Sequence, residues 1–274
     1  MAPPPPEFEF TSHLDDDVAR VAQQLSAAGH VIALTGAGLS VESGIPPFRG
    51  PGGLWTKYGE PPMDGYRLFL EDPAAAWRER LSPRAEWALA LRDTLAAAKP
   101  NAGHRALAEL ERIGLLGCVI TQNIDDLHAQ AGSSNLLEIH GNHRLLRCLG
   151  CVRRFEPDAI AIDLDDLPPR CPDCGGPVKG DTVQFGEPIP PDVLRQCYAE
   201  VERSDCMLVI GTSATVYPAA DFPMEVLRRG GCVIEVNPTD TEITASATES
   251  LRGPAGALLS RLFDLARSEA GTTA

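Results

Sequence analysis

Polar and apolar positions along the chain fall into two rhythms. Short, nearly unbroken apolar runs occupy residues 30–34, 117–121, 205–210 and 231–236, reading HVIAL, GCVIT, DCMLVI and GCVIEV. They are short and lack alternation, so they predict strands covered on both faces. Between them, apolar residues recur at helical spacing. That spacing predicts helices over 14–28 (Leu14, Val18, Val21, Leu25), 104–113, 192–203, 219–228 and 255–266. Ser12 is placed to cap the first, and Asp15, Asp16 and Asp17 complement its dipole. Strands alternating with helices predict an α/β fold with a doubly wound parallel sheet of Rossmann type. Each apolar run ends in a polar loop: TGAGLS, TQNIDD, GTSATVYP and EVNPTDT. Ligands of open α/β sheets bind beyond the carboxyl ends of the strands, so these four loops should meet at one site.

Two stretches break the rhythm. Residues 51–100 open with Pro, Gly and the aromatics Trp55, Tyr58 and Tyr66, which predicts a long flap with short helices. Residues 142–180 carry paired cysteines and read as a small insert. Residues 12–50, 101–141 and 181–268 are left to form the doubly wound domain, and residues 1–11 read as a flexible, Pro-rich tail.

Composition narrows the function classes. At 274 residues and 43% apolar, the chain can bury a core as one large domain or one domain with an insert. The net charge of −14 comes with no basic patch, so direct nucleic-acid binding is not expected. No apolar run reaches the roughly 18 residues of a membrane helix, and the N-terminus lacks a signal-peptide pattern. The expectation is a cytoplasmic protein with no membrane partner.

The cysteines carry the strongest local signal. Cys148 and Cys151, then Cys171 and Cys174, form two CxxC pairs separated by nineteen residues. Four thiolates at this spacing can surround one Zn²⁺ tetrahedrally; in a cytosolic chain this is favoured over two disulfides. Four sulfurs leave no open position, so the zinc should be structural. The insert mixes Arg153, Arg154 and Arg170 with Asp158, Asp163, Asp165 and Asp166, which does not make a phosphate-binding face. Cys118, Cys206 and Cys232 lie in strand-like runs and Cys197 in a helical one, so these read as core residues.

The stretch TGAGLSVESGIPPFRG, residues 35–50, begins like a dinucleotide loop and departs from it. Gly36 and Gly38 allow close approach to a pyrophosphate, but Val41 stands where a third Gly is expected. Gly44, Pro46 and Pro47 then interrupt any long helix, and no acidic residue ends a second strand at the usual distance. An ordinary dehydrogenase is disfavoured.

The motifs taken together resemble the sirtuins, NAD-dependent protein lysine deacylases. They are GAGxSxESGIPxFRG (36–50), TQNID (121–125), HG (140–141), both CxxC pairs, VxFGE (183–187), GTSxxVxP (211–218) and VN (236–237). The resemblance runs from about Leu14 to Phe263. It implies NAD as co-substrate, one structural zinc, and acylated lysine in proteins or peptides as partner. It also implies that the stretch after Gly38 is a mobile cofactor flap rather than the start of a packed helix. In the implied reaction the acyl carbonyl oxygen attacks C1′ of the nicotinamide ribose and nicotinamide leaves. A base then activates a ribose hydroxyl, and water completes the release of lysine and O-acyl-ADP-ribose.

By resemblance His140 is that base, Asn123 orders ribose and water, and Asp125 with Ile45 holds the nicotinamide carboxamide. Phe48 covers the reacting face, Arg49 approaches the phosphates and Gln122 touches the ribose. Gly36, Ala37, Gly38, Ser40, Gly211, Thr212, Ser213, Asn237 and Ala255 line the rest of the cofactor path. Val183, Phe185, Gly186 and Glu187, with Val216 and Tyr217, resemble the clamp that binds substrate as an added strand. His104 and His143 read as local hydrogen-bonding residues, and a direct role for His128 stays open. Pro47 stands where Asp is usual, so flap behaviour or nicotinamide handling could differ. The Tyr-x-x-Arg pair of desuccinylating sirtuins is missing; Trp77, Arg80 and Arg84 occur there instead. Removal of acetyl or another neutral acyl group is therefore favoured over desuccinylation. Mono-ADP-ribosyl transfer is the alternative, and a non-enzymatic NAD-sensing adaptor a weaker one.

Overall fold

The computed structural model describes residues 9–49, 52–60, 63–82 and 85–272. In chain order its strands are β1 (Val31–Thr35), β2 (Cys118–Thr121), β3 (Leu136–Glu138), β4 (Leu146–Cys148), β5 (Arg154–Phe155), β6 (Val178–Gly180), β7 (Cys206–Ile210), β8 (Cys232–Asn237) and β9 (Glu249–Arg252). The α-helices are α1 (Ser12–Ala27), α2 (Ala37–Ser40), α3 (Leu54–Tyr58), α4 (Gly65–Glu71), α5 (Pro73–Leu81), α6 (Glu86–Ala97), α7 (Ala102–Arg112), α8 (Leu127–Ala131), α9 (Pro191–Arg203), α10 (Phe222–Arg228) and α11 (Ala255–Thr272).

Six strands form one parallel sheet in the order β3-β2-β1-β7-β8-β9. This is the strand order of a Rossmann sheet, with the order reversing between β1 and β7. The apolar runs become its centre: every residue of β1, β2 and β7 is buried. Alternate residues of each strand feed opposite cores. Ala33, Val119, Leu208 and Ile234 pack with α1, α7 and α11 residues such as Val21, Leu107 and Leu262. Ile32, Ile120, Met207 and Val233 pack with Cys197, Val201, Phe222 and Val226 of α9 and α10. Cys118, Cys197 and Cys206 are buried in these cores, as the sequence predicts.

The differences from the predicted elements have local causes. The cap of α1 is Thr11 rather than Ser12: the Leu14 N–H donates to Thr11 Oγ1 at 3.3 Å. The first eight residues of the expected tail lie outside the described residues, and Phe10 packs against the core. The helix expected from residue 219 starts as a 3-10 turn, and α10 begins at Phe222 with Pro223 in its first turn, where a missing N–H costs nothing. α11 runs to Thr272, beyond the expected end at 266. The stretch after Gly36 does form one helical turn, α2, before Gly44 (φ 86°) turns the chain.

Residues 146–180 add a small antiparallel sheet, β5-β4-β6. Its own core holds Leu146, Phe155, Ile160 and Val178, and it is completed by Phe69 and Trp77 from the flap helices. Trp77 is 2% exposed, and its indole Nε1–H donates to Val178 O at 2.7 Å. Arg80 Nη2 donates to His143 O at 3.2 Å. Trp77 and Arg80, which stand where the Tyr-x-x-Arg pair is missing, therefore brace the flap helices against the insert; Arg84 lies outside the described residues. A buried ionic cluster makes the second joint. Asp181 accepts from Arg147 Nε at 2.5 Å, from Arg154 Nε at 2.9 Å and from the Asn142 N–H at 2.8 Å, and Arg154 also reaches Glu138 at 2.7 Å.

The two cysteine knuckles differ in the residue that closes the turn. The residue after the second cysteine adopts a left-handed conformation in both, Gly175 at φ 72° but Val152 at φ 56°. A β-branched side chain is strained there by about 1–2 kcal/mol, part of which glycine returns as unfolded-state entropy. Val152→Gly is expected to stabilise the zinc-loaded protein by about 0.5–1 kcal/mol, read as a raised midpoint in thermal unfolding.

Candidate active site

The carboxyl ends of β1, β2 and β7 carry three interlocked loops. The Gly36 N–H donates to Ile210 O at 3.0 Å, and the Gly38 N–H to Gly211 O at 2.7 Å. A Cβ on Gly38 would lie 2.7 Å from Gly211 Cα, and one on Gly36 would lie 2.7 Å from Thr212 Cβ. Gly211 itself sits at φ 58°. The two glycine loops thus touch backbone to backbone, with no room for a side chain between them. Gly38→Ala forces a backbone shift; it is expected to cost about 1–3 kcal/mol as an overpacking change. ADP-ribose binding should weaken at least tenfold, measured by calorimetry beside a melting curve.

The loop after β2 is held by alternation. Gln122 O accepts from His140 Nδ1 at 3.1 Å, and Ile124 O accepts from both the N–H (2.9 Å) and Nδ1 (2.8 Å) of His143. Two histidines thereby pin the even carbonyls, and the side chains of Asn123 and Asp125 turn toward the glycine loop. Asn123 Nδ2 donates to Gly36 O at 3.0 Å and to Ser40 Oγ at 3.1 Å. Ser40 Oγ donates to Asp125 Oδ2 at 2.6 Å, and Asp125 Oδ1 accepts the Leu127 N–H at 3.0 Å. Ser40, Asn123 and Asp125 are all buried. Gln122 Nε2 donates to Thr212 Oγ1 at 2.9 Å, joining the loops of β2 and β7.

His140 follows β3. A carbonyl can only accept, so Nδ1 carries the proton and Nε2 keeps a free lone pair. Burial pushes the imidazole pKa below its usual value, against the Gln122 carbonyl, which favours the cation. At neutral pH the ring is a neutral base. Gly141 (φ 76°) turns the chain, and the Val183 N–H donates to His140 O at 2.9 Å, tying the VQFGE segment to His140. Ahead of that segment, in β6, Lys179 Nζ is buried against Gly180 O and Thr182 O, both at 2.7 Å, and against Glu187 Oε2 at 3.1 Å. The Glu187 carboxylate therefore faces inward and also accepts the Gln184 N–H at 2.8 Å. Gly186 is exposed at φ 79°.

The flap connects to this segment through aromatic rings. Phe48 lies 5.4 Å from Trp55, which lies 5.6 Å from Phe185. Phe48 remains 38% exposed. Arg49 stacks over Trp55 at 4.3 Å and meets Glu60 at 3.5 Å, so in this structure it is occupied on the flap. Ile45 is buried with Ala98 and Leu127. Ala37 lies in α2. Ser213, Val216 and Tyr217 occupy the loop after β7, with Tyr217 70% exposed. Asn237 ends β8, and Ala255 starts α11, where the next N–H, that of Gly256, donates to Glu42 Oε1 at 2.8 Å.

Several supporting residues escaped the motif reading. Asn101 caps α7 and donates through Nδ2 to Leu39 O at 2.7 Å and Ser43 Oγ at 3.0 Å, fixing the base of the flap. Its place before a helical run was the available signal. Glu235, inside an apolar strand, is 1% exposed and gathers Thr241, Thr244, Ser250 and Arg252, which orders the loop after β8. His104 and His128 are buried beneath the site; burial lowers their pKa values to about 4 and about 3.

Away from this cleft, Cys148, Cys151, Cys171 and Cys174 place their sulfurs within 4.8 Å of one another. Two of the edges measure 3.4 Å (Cys148–Cys174) and 3.7 Å (Cys151–Cys171). A tetrahedron with Zn–S bonds of about 2.3 Å has edges of about 3.8 Å, so the set fits zinc. The Gly150 N–H points at Cys148 Sγ, at 3.2 Å.

A model described as the Sir2 family matches residues 36–218. An NAD-dependent protein deacylase 1 of Archaeoglobus fulgidus is 43% identical over 243 residues, covering 89% of this chain and 95% of the relative. An NAD-dependent protein deacylase of Pyrococcus furiosus is 42% identical over 250 residues, covering 90% and 97%. Among solved structures, a Sir2 homologue–NAD complex superposes with a TM-score of 0.77 at 42% identity, covering 96% of this chain and 97% of the other. A Sir2–p53 peptide–NAD⁺ complex gives 0.69 at 33% identity, covering 93% and 98%.

Proposed function

The chain belongs to the Sir2 family, and from that premise we propose that its cleft removes acetyl or another neutral acyl group from protein lysine, with His140 as base and NAD as co-substrate. The NAD-dependent protein deacylase activity rests on relatives of that name matching nearly the full chain. The observation that carries the residue roles is the His140 tautomer: Nδ1–H is fixed on Gln122 O, which leaves Nε2 to take a proton. Asn123, Ser40 and Asp125 form a linked polar floor beside the glycine loop, suited to a ribose and a carboxamide. Gly36, Ala37 and Gly38 offer backbone close to the pyrophosphate, and Gln122, Thr212, Ser213, Asn237 and Ala255 continue the cofactor path. Ile45 backs the nicotinamide, and Phe48 covers the reaction face and excludes water. Arg49 reaches phosphate after leaving Glu60. An acylated peptide pairs as a strand between Val183–Glu187 and Val216–Tyr217. Glu187 serves there by holding the backbone through Lys179.

A zinc ion held by Cys148, Cys151, Cys171 and Cys174 would supply a rigid cross-link for the insert and no reacting position. No helix among the described residues is long and apolar enough to cross a membrane, and we place the protein in the cytoplasm. Trp77 and Arg80 are engaged in packing, which supports a neutral acyl group. The test is a mass-spectrometric panel of acetyl-, propionyl-, succinyl- and long-chain acyl-lysine peptides with NAD. Acetyl- or propionyl-lysine should give free lysine and O-acyl-ADP-ribose. Preferential succinyl removal would overturn the acyl assignment. ADP-ribosylated protein without free lysine would overturn deacylation itself.

A further inference from the structure

His128 lies on α8, below the loop of Asn123, and is 2% exposed. Its Nε2 is 2.9 Å from Thr35 Oγ1, at the end of β1. Thr35 Oγ1 donates its single proton to Thr121 Oγ1 at 2.8 Å, at the end of β2. Thr35 can then only accept from His128, so the imidazole proton sits on Nε2 and Nδ1 is bare. Thr121 Oγ1 also accepts the backbone N–H of Asn123 at 3.1 Å.

The other side of the ring agrees. His128 Nδ1 is buried without a partner, and so is His104 Nε2. The Asn101 N–H donates to His104 Nδ1 at 3.4 Å, which puts the His104 proton on Nε2. An orphan donor and an orphan acceptor thus belong to two rings in edge contact, 4.9 Å apart and inclined at 66°. Buried polar atoms rarely go unpaired, and these two are complementary.

We propose that His128 is a positioning residue for deacylation: its Nε2–H orients Thr35, and through Thr121 it fixes the backbone of Asn123. Thr35 and Thr121 close β1 and β2 at the point where the glycine loop and the Asn123 loop part. Hydrogen bonds that converge on Thr121 Oγ1, from Thr35 on one side and the Asn123 N–H on the other, set the spacing of those two loops. Burial holds His128 neutral well below pH 7, so these bonds keep their direction across the working range. His128 itself touches no reacting atom.

This inference rests on the deacylase reading, and its test separates the two. Nitrogen-15 NMR of histidine side chains in the wild-type protein should show His128 as the Nε2–H tautomer. That resonance should shift when ADP-ribose binds, although His128 does not touch the ligand. Thr35→Val and His128→Phe should each lower kcat for acetyl-lysine peptide about tenfold, as a small misplacement of a reacting geometry does. The double variant should be no worse than either single. His128→Gln, which retains an N–H near the Nε2 position, should recover most of the rate. An Nδ1–H tautomer would overturn the proposal, and so would unchanged kcat in Thr35→Val, or equal losses in the Gln and Phe variants. If a variant fails to fold, the wild-type tautomer and its response to ADP-ribose still decide. Wild-type protein inactive on every acyl peptide would instead defeat the deacylase reading.

Discussion

His140→Ala is expected to lower kcat for O-acyl-ADP-ribose formation by about 10²–10⁴-fold, the range for removing a positioned general base. The size follows from the site's economy. His140 is the ring whose protonated nitrogen is committed to Gln122 O, so the lone pair on Nε2 has no structural duty. His143 spends its Nδ1 on Ile124 O, and His104 and His128 are sealed under the sheet. None of the three can substitute. The fold should survive, because one hydrogen bond to a loop carbonyl is worth about 0.5–1.5 kcal/mol.

The pH profile supplies a second reading of the same residue. Burial lowers the His140 pKa, so the neutral base is complete at pH 7 and is lost only as pH falls below the ordinary histidine value of about 6.5. The acid limb of kcat should therefore lie below that value in the wild type and vanish from the residual rate of the variant. Retention of more than a tenth of wild-type kcat would remove His140 from the base role. Nicotinamide release that persists while free lysine does not appear would place the loss after the first step.

The parallel core was legible because its strands are short apolar runs with polar ends, and the sheet places those ends at one edge. β3 and β9 were not legible. Leu136–Glu138 and Glu249–Arg252 are only three and four residues long, too short for an apolar run, and they are strands because β2 and β8 offer free edges. Local sequence carries no trace of such an edge. The zinc cluster was legible from spacing alone, since four thiolates in two tight turns have few other uses. Asn123, Asp125 and His140 were legible from motif, but what holds them was not. Asp181, Glu138, Arg147 and Arg154 are charged residues scattered over more than forty positions, and only folding shows that they neutralise one another. The role of Trp77 was not legible either, because only folding shows that its indole N–H is consumed by Val178 O.

Cys171→Ser, or stripping with a strong chelator, is expected to lower the thermal midpoint by more than about 10 °C, given that structural zinc in small modules is worth about 10–16 kcal/mol of apparent binding energy. The insert has little else to hold it. Its sheet has three strands of two or three residues, and the core behind them is one small cluster. Cys171 is 2% exposed, so a hydroxyl in place of its thiolate also leaves a buried polar group without its metal. The loss should be uneven. Amides of β4, β5 and β6 should exchange with solvent first, while β1 and β7, buried on both faces, stay protected. Activity should fall with the insert although no zinc ligand lies in the cleft. The chain leaves β6 directly into Asp181 and then Val183, whose N–H bonds His140 O. Loosening β6 therefore releases the peptide-binding segment and the backbone of the base together, and the KM for acyl peptide should rise before ADP-ribose affinity changes. Full activity and an unshifted midpoint in metal-free protein would mean that the Asp181 cluster and Trp77 hold the insert without the ion.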